Sequence, residues 1–270
     1  MINLVSGIGK LIRLNRIFKE KSKRTFIVAM DHGSFDGPIL GIENPLETLK
    51  KVLCEGVNAL IITPGICKIA YEQIMGKASI ILRISGAVTK SGMKKDYTQI
   101  TRHISTALKI GADAVAVTAF VGGEDESKML KRLSFIAEKC DDYGMPLLAE
   151  MIPAFSDKYS SDKVSLASRV GAELGADIIK TYYTGSIESF KKVVNSCPVP
   201  IVIAGGPKID NPKRVIEVVK ESIEAGGKGV AFGRNVWQHH NPKAIAKAIA
   251  SIIHEDFSVE EAFKILEANL

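Results

Sequence analysis

The chain has 270 residues, 46% hydrophobic and 24% charged, with a formal net charge of +6. Such proportions fit a soluble globular protein with a sizeable core, either one large α/β domain or two ordinary ones. The basic residues are scattered in helix-like stretches without interleaved aromatics, which argues against a nucleic-acid groove, and no apolar run reaches the length of a membrane span.

Four cysteines (Cys54, Cys67, Cys140, Cys197) are widely spaced, with no Cys-x-x-Cys and no histidine pair at zinc spacing. Reduced thiols in a cytoplasmic protein, without a bound metal or other cofactor, are the expectation.

A helix is predicted over 7–18, followed by a first β-branched run at 26–30 that leads into Asp31-His32-Gly33. Asn44-Pro45-Leu46-Glu47 supplies a cap, an N1 proline and an N3 glutamate for a helix that Gly56 ends. A second strand, 59–63, runs into Thr63-Pro64-Gly65, and a third, 79–84, carries Arg83 before Ser85-Gly86. The fourth is 114–119. Strand five, 147–151, carries Glu150, and strand six, 177–182, carries Lys180 and Tyr182. The seventh, 200–204, leads into Gly205-Gly206-Pro207-Lys208, and the eighth, 229–233, into Gly233-Arg234-Asn235. Asn211-Pro212 and Asn241-Pro242 open two more helices, and a last helix covers 258–267.

The helix-to-strand junctions repeat a design. Gly56-Val57-Asn58, Gly111-Ala112-Asp113, Gly175-Ala176-Asp177 and Gly226-Gly227-Lys228 each end a helix on glycine and turn directly into an apolar strand. Eight strand–helix units with no Pro/Gly/Ser linker predict a single-domain (β/α)₈ TIM barrel over 1–270, with an extra N-terminal and a C-terminal helix. The strands read as continuous apolar runs, as parallel strands covered by helices should.

In such a barrel the site lies at the C-terminal ends of the strands. Lys180 is the most pointed residue there. Burying an ammonium costs several kcal/mol unless it is paired or neutralised, and a neutral lysine is a nucleophile suited to Schiff-base chemistry. The alternative is a lysine at the strand's end whose head snorkels into solvent. Gly205-Gly206 and Gly233-Arg234 match a phosphate cup in the loops after strands 7 and 8, with Arg234 as a bidentate donor. The plainer reading is glycines serving tight turns only. Asp31 is placed either to shuttle protons at Lys180 or to form an ion pair with Lys180 or Arg83. His32 is either an acid/base or substrate contact or a residue bonding its own turn.

Taken together, Leu14-Asn15-Arg16-Ile17-Phe18, Met30-Asp31-His32-Gly33, Gly37-Pro38, 178–183, 197–206 and Gly233-Arg234-Asn235 resemble the class I, Schiff-base aldolases of the DeoC/LacD-like family. That family includes archaeal-type fructose-bisphosphate aldolase, 2-amino-3,7-dideoxy-D-threo-hept-6-ulosonate synthase and 3-hydroxy-5-phosphonooxypentane-2,4-dione thiolase. The resemblance implies that Lys180 forms the imine with Asp31 as its acid/base partner. It implies that Gly205, Gly206, Gly233 and Arg234 hold a phosphate, with Lys208 as a further basic residue. His32 and Arg83, by their place at the strand ends, are expected as substrate contacts. It also implies a metal-independent reaction and a homo-oligomer, a ring or decamer.

One stretch departs from the family. The aldolase and heptulosonate-synthase members carry Tyr-Pro-Arg-Gly after strand 5, where this chain has Ile152-Pro153-Ala154-Phe155. Isoleucine cannot move a proton. Glu150, two residues back on the same strand face, is the first substitute, and Tyr182, sharing a face with Lys180, is the second. The expected function is aldolase-type cleavage or formation of a carbon–carbon bond in a small phosphorylated keto substrate. The alternatives are thiolase-type acyl transfer to coenzyme A, a heptulosonate-synthase-type transaldol reaction, and a phosphosugar-binding regulatory protein without turnover.

Overall fold

Eight parallel strands close into a barrel in the chain order that the strand–helix alternation predicts: β1 (Thr25–Ala29), β2 (Ala59–Ile62), β3 (Ser79–Arg83), β4 (Ala114–Val121), β5 (Leu147–Pro153), β6 (Ile178–Thr181), β7 (Ile201–Ala204) and β8 (Gly229–Phe232), with β8 pairing back onto β1. The coordinates are a computed structural model and describe residues 7–54, 56–93 and 96–269. A helix lies between each pair of successive strands, and the expected terminal helices are Ile8–Ile17 and Val259–Glu267. Among the described residues no helix is long and apolar enough to cross a membrane.

The predicted boundaries hold to within a residue or two. β4 and β5 run two residues further than expected, because Phe120, Val121, Ile152 and Pro153 continue their pairing. Three features were not expected: an antiparallel pair, Ser85–Gly86 with Gln99–Ile100, beyond β3, and two short helices, Gly33–Asp36 and Arg234–Trp237, at the strand mouths.

The helix punctuation is as read. Asn44, Asn211 and Asn241 each accept a backbone N–H from the first turn that follows, and Gly56, Gly111, Gly175 and Gly226 all take positive φ. The repeated junction also carries a function that the turn reading missed. Its third residue reaches sideways to the preceding strand. Asn58 Oδ1 accepts from Phe26 N (2.7 Å), Asp113 Oδ2 from Ile80 N (3.3 Å) and Asp177 Oδ2 from Leu147 N (2.8 Å). Each satisfies a strand-end amide at the base of the barrel.

Two of these carboxylates also hold the N-terminal helix. Lys10, only 1% exposed, pairs with Asp177 at 2.9 Å and Asp141 at 2.5 Å, and Arg16 pairs with Asp113 at 3.0 Å. The helix thereby lays Leu14 and Ile17 across the base of the lumen. There they join one apolar cluster with Ile27, Ala29, Ala59, Ile61, Ile81, Ala114, Ala116, Leu148, Ile178, Val202 and Ala231. These are the inward residues of the eight strands, spaced by two as a pleated strand requires. The outward residues pack under the helices in a second, larger cluster.

Asp177→Ala removes both the acceptor for Leu147 N–H and one of the two carboxylates holding a buried ammonium, and should cost about 3 kcal/mol. Asp177→Asn, which like Asn58 can still accept the strand amide, should cost roughly half as much. Urea denaturation midpoints test this, and equal losses in the two variants would contradict the amide's share.

Candidate active site

Continuing the inward parity by one step past the apolar lumen gives Asp31, Arg83, Thr118, Glu150 and Lys180. The lumen is therefore roofed by a polar layer. In strand register Thr118 stands beside Glu150 and Glu150 beside Lys180, a lateral row across β4, β5 and β6. Strand spacing of about 4.8 Å then leaves neighbouring side chains within bonding reach.

Lys180 Nζ lies 2.5 Å from Glu150 Oε1. The other carboxylate oxygen, Oε2, accepts from Arg83 at 2.7 Å and from Thr118 Oγ1 at 2.8 Å. Arg83 spans the layer: its Nε donates to Asp31 (2.7 Å) and a third nitrogen to Thr118 Oγ1 (2.7 Å). Lys180, Arg83 and Asp31 are nearly sealed from solvent, 5%, 6% and 2% exposed, and Glu150 is partly buried between them. Lys180 therefore does not snorkel; its head stays inside against a carboxylate.

The electrostatics follow from this pairing. Burial pushes the Glu150 and Asp31 carboxyls up, but the Lys180 and Arg83 charges outweigh it and hold both below the usual carboxylate range. Burial pushes the His32 imidazole down, Lys180 and Arg234 push it further, and Asp31 only partly opposes them. Tyr182 is pushed up to about 12, chiefly by burial, with Tyr159 and Glu150 adding to the effect.

Above the layer opens a cavity of about 520 Å³. Lys180, Glu150, Arg83, Tyr182, His32, Gly205, Gly206, Gly233 and Arg234 all line it, so ten of the eleven predicted site residues are in the cavity or directly beneath it, Asp31 being the one beneath. The exception is Lys208, which is 42% exposed by side chain, faces Asp210 at 4.0 Å and does not line the cavity.

The loops after β7 and β8 are stapled by Asn235, whose side chain accepts from Ile209 N (2.8 Å) and donates to Gly205 O (2.7 Å). Gly233 has no room for a side chain, since a Cβ there would come within 2.6 Å of the His32 ring. That ring packs edge-on against Trp237, whose Nε1 donates to Ala29 O at 3.0 Å. Arg234 Nε is buried without a hydrogen-bond partner, a donor available to a ligand.

Thr118 and the mouth residues Lys90, Lys158 and Tyr159 were not anticipated. No mouth residue is predicted for strand 4. Two-residue parity from Ala114 and Ala116 points directly at Thr118. Lys90 and Lys158 lie in connecting segments, where no periodicity marks direction. Among the described residues no group of three or more His, Cys, Asp or Glu side chains is gathered to hold a metal ion.

Because Glu150 and Asp31 stay ionised in the folded protein where the unfolded chain takes up protons, folding stability rises with pH in that range. Their contribution is complete above the ordinary glutamate value of 4.5 and is lost as pH falls through the lowered folded values. Urea unfolding should show stability dropping steeply below about pH 4.5, with a shallower slope in Glu150→Gln. Parallel slopes would contradict the pairing.

Comparison with known proteins identifies the family. A model of the DeoC/LacD family of aldolases matches residues 25–239. An uncharacterized aldolase of Saccharolobus solfataricus is 37% identical, the match covering 96% of this chain and all of that one. The 3-hydroxy-5-phosphonooxypentane-2,4-dione thiolase of an Enterobacter strain is 35% identical over 95% of this chain and 85% of its own. A solved Schiff-base-forming fructose-1,6-bisphosphate aldolase superimposes with a TM-score of 0.84 at 28% identity, covering 90% of this chain and 99% of the other.

Proposed function

The chain belongs to the DeoC/LacD family of aldolases, and we propose that it makes or breaks a carbon–carbon bond beside the ketone of a small phosphorylated substrate through an imine on Lys180. The observation that carries this reading is the 2.5 Å contact between Lys180 Nζ and Glu150 Oε1 in a nearly sealed layer. A carboxylate at that distance can take the ammonium proton, freeing the nitrogen lone pair.

The steps balance on these groups. Glu150 takes a proton from Lys180, and Nζ adds to the ketone carbon. The proton lost by nitrogen moves to the new alkoxide, giving a carbinolamine. Protonated Glu150 then delivers its proton to that hydroxyl, which leaves as water, and an iminium remains. The iminium accepts the electron pair of the adjacent carbon–carbon bond as the neighbouring hydroxyl loses its proton, so an aldehyde departs and an enamine stays on the lysine. Glu150, again a carboxylate, is the base for that hydroxyl. Tyr182, with its phenol pushed up to about 12, keeps its proton through neutral pH and can donate it to a substrate oxygen. Glu150 and Tyr182 thus take the place of the phenol missing at Ile152.

Asp31 acts through Arg83. It fixes the guanidinium, which in turn fixes Glu150 against the lysine. The phosphate is assigned to the backbone of Gly205, Gly206 and Gly233 with Arg234, where it would hold the ketone against Nζ.

A second reading, acyl transfer from a phosphorylated diketone to coenzyme A, is favoured by Ile152 standing where a proton-donating tyrosine is expected, and by the 35% identity to the thiolase. The same iminium serves both, because either reaction uses it as the electron sink.

Borohydride reduction after adding dihydroxyacetone phosphate should leave a mass adduct on Lys180 that disappears in Lys180→Ala. An adduct that persists in that variant sinks the imine. Glu150→Gln should lower kcat by roughly 10²–10⁴-fold, the range for losing a positioned acid/base. Adding coenzyme A to the turnover assay separates lyase from acyl transferase.

A further inference from the structure

A hydroxyl stands on the side of Glu150 away from the lysine. Thr118 Oγ1 lies 2.8 Å from Glu150 Oε2 and 2.7 Å from one terminal nitrogen of Arg83, whose other terminal nitrogen reaches the same Oε2 at 2.7 Å. A guanidinium carries donors only, so Thr118 accepts from Arg83. The single hydroxyl hydrogen must then point elsewhere, and Glu150 Oε2 is the one acceptor that the described residues offer it.

Oε2 thus receives two donors. Arg83 cannot take a proton from it, and Thr118 could do so only by turning its own hydrogen away from that acceptor. The other oxygen, Oε1, faces Lys180 Nζ at 2.5 Å. The two oxygens of one carboxylate are therefore unequal: Oε2 is closed to protons, and Oε1 is open on the side of the reacting nitrogen.

Thr118 is held in this attitude by its own backbone. The ladder between β3 and β4 stops at Arg83 opposite Ala116, with Ile84 N donating to Ala116 O as its last bond. Two residues on, the main-chain groups of Thr118 on that side have no strand beside them. Its N–H donates instead to Ser85 Oγ (2.9 Å), and its carbonyl accepts from Thr98 Oγ1 (2.7 Å). Ser85 belongs to the antiparallel pair beyond β3, and Thr98 immediately precedes the second strand of that pair. Arg132 fastens the segment again, donating to Tyr97 Oη at 2.8 Å and to Thr98 O at 3.2 Å. On its other side Thr118 is in register with Glu150. The small antiparallel pair thereby supplies the edge that fixes the hydroxyl against the carboxylate.

We propose that Thr118 is a positioning residue for proton transfer, keeping the proton that Glu150 carries on Oε1, beside Lys180. The proton taken from the Lys180 ammonium stays next to the place where the carbinolamine hydroxyl forms, and it returns to that hydroxyl as water leaves. The same hydrogen bond favours the ionised carboxylate, which makes the protonated form a readier donor in the dehydration step. The proposal rests on the imine reading, since it concerns the proton which that reading routes through Glu150.

The test times imine formation in the whole protein. Borohydride is added at intervals after mixing with dihydroxyacetone phosphate, and the adduct on Lys180 is read by mass. Thr118→Val keeps the shape of the side chain without its hydroxyl. It should slow the saturated rate on the order of tenfold, the effect of losing one charge-assisted hydrogen bond, and leave the half-saturating concentration nearly unchanged. Its solvent deuterium isotope effect should rise, because delivery of the proton becomes the slow step. Thr118→Ser retains the hydroxyl and should restore both the rate and the isotope effect. Urea midpoints establish that each variant is folded, and Thr118→Ala is the hydroxyl-free variant should a methyl against Arg83 prevent folding. A hydroxyl-free variant that traps at the wild-type rate, that loses binding in place of rate, or that slows with a wild-type isotope effect overturns the positioning role alone. The absence of any adduct on Lys180 in the wild-type protein rejects the imine, and the role of Thr118 falls with it.

Discussion

A barrel lumen is a poor place for an ammonium. Lys180 is inside because Glu150 is its lateral neighbour in the strand register, and Glu150 is tolerable there because Arg83 and Thr118 engage its second oxygen. Removing any one partner would leave a charge in a desolvated layer, where an unpaired ion costs several kcal/mol. The polar roof is therefore a single object whose members are mutually required. Its geometry is set by parity and register more than by any loop: each member is the next inward position after an apolar residue of its own strand.

This has a mechanistic side. A nucleophile held by pairing differs from one held neutral by burial, since its proton is already shared with the group that must accept it. In the proposed reaction the substrate replaces the ion pair with a carbinolamine, and the carboxylate is left beside the atoms that next need a proton. With isoleucine at position 152, no phenol stands above Glu150 on β5, and the carboxylate itself is the proton carrier in contact with Lys180. On that reading the residue above Glu150 contributes shape, while Glu150 and Tyr182 contribute the chemistry.

Much of this was readable from the residues. The β-branched runs, the Asn-Pro helix starts and the glycine stops located the strands to within a residue or two, because each is a local preference that the tertiary structure had no reason to override. Glu150, Lys180 and Tyr182 were recoverable from two-residue alternation alone. The partner of Asp31 was not, since its bond to Arg83 spans 52 positions and either cation suited it equally on paper. Lys208 does not line the cavity although Gly205, Gly206 and Pro207 do, since no periodicity marks side-chain direction along that loop. Asn58, Asp113 and Asp177 looked like turn residues because the amides they serve belong to strands some thirty positions earlier.

That last feature makes the four quarters of the barrel unequal. Three pairs of strands, β1–β2, β3–β4 and β5–β6, are buttoned at the base by a side chain of the junction repeat. The fourth has Lys228 at that position, and its side-chain fastening lies at the opposite end, where Asn235 joins the β7 and β8 loops. Among the described residues, the Asn235 amide is thus the side-chain clasp of the quarter with no clasp below. Loss of Asn235 would therefore loosen the β7–β8 mouth with no side-chain clasp beneath the pair, whereas the β3 and β5 mouths are secured from beneath.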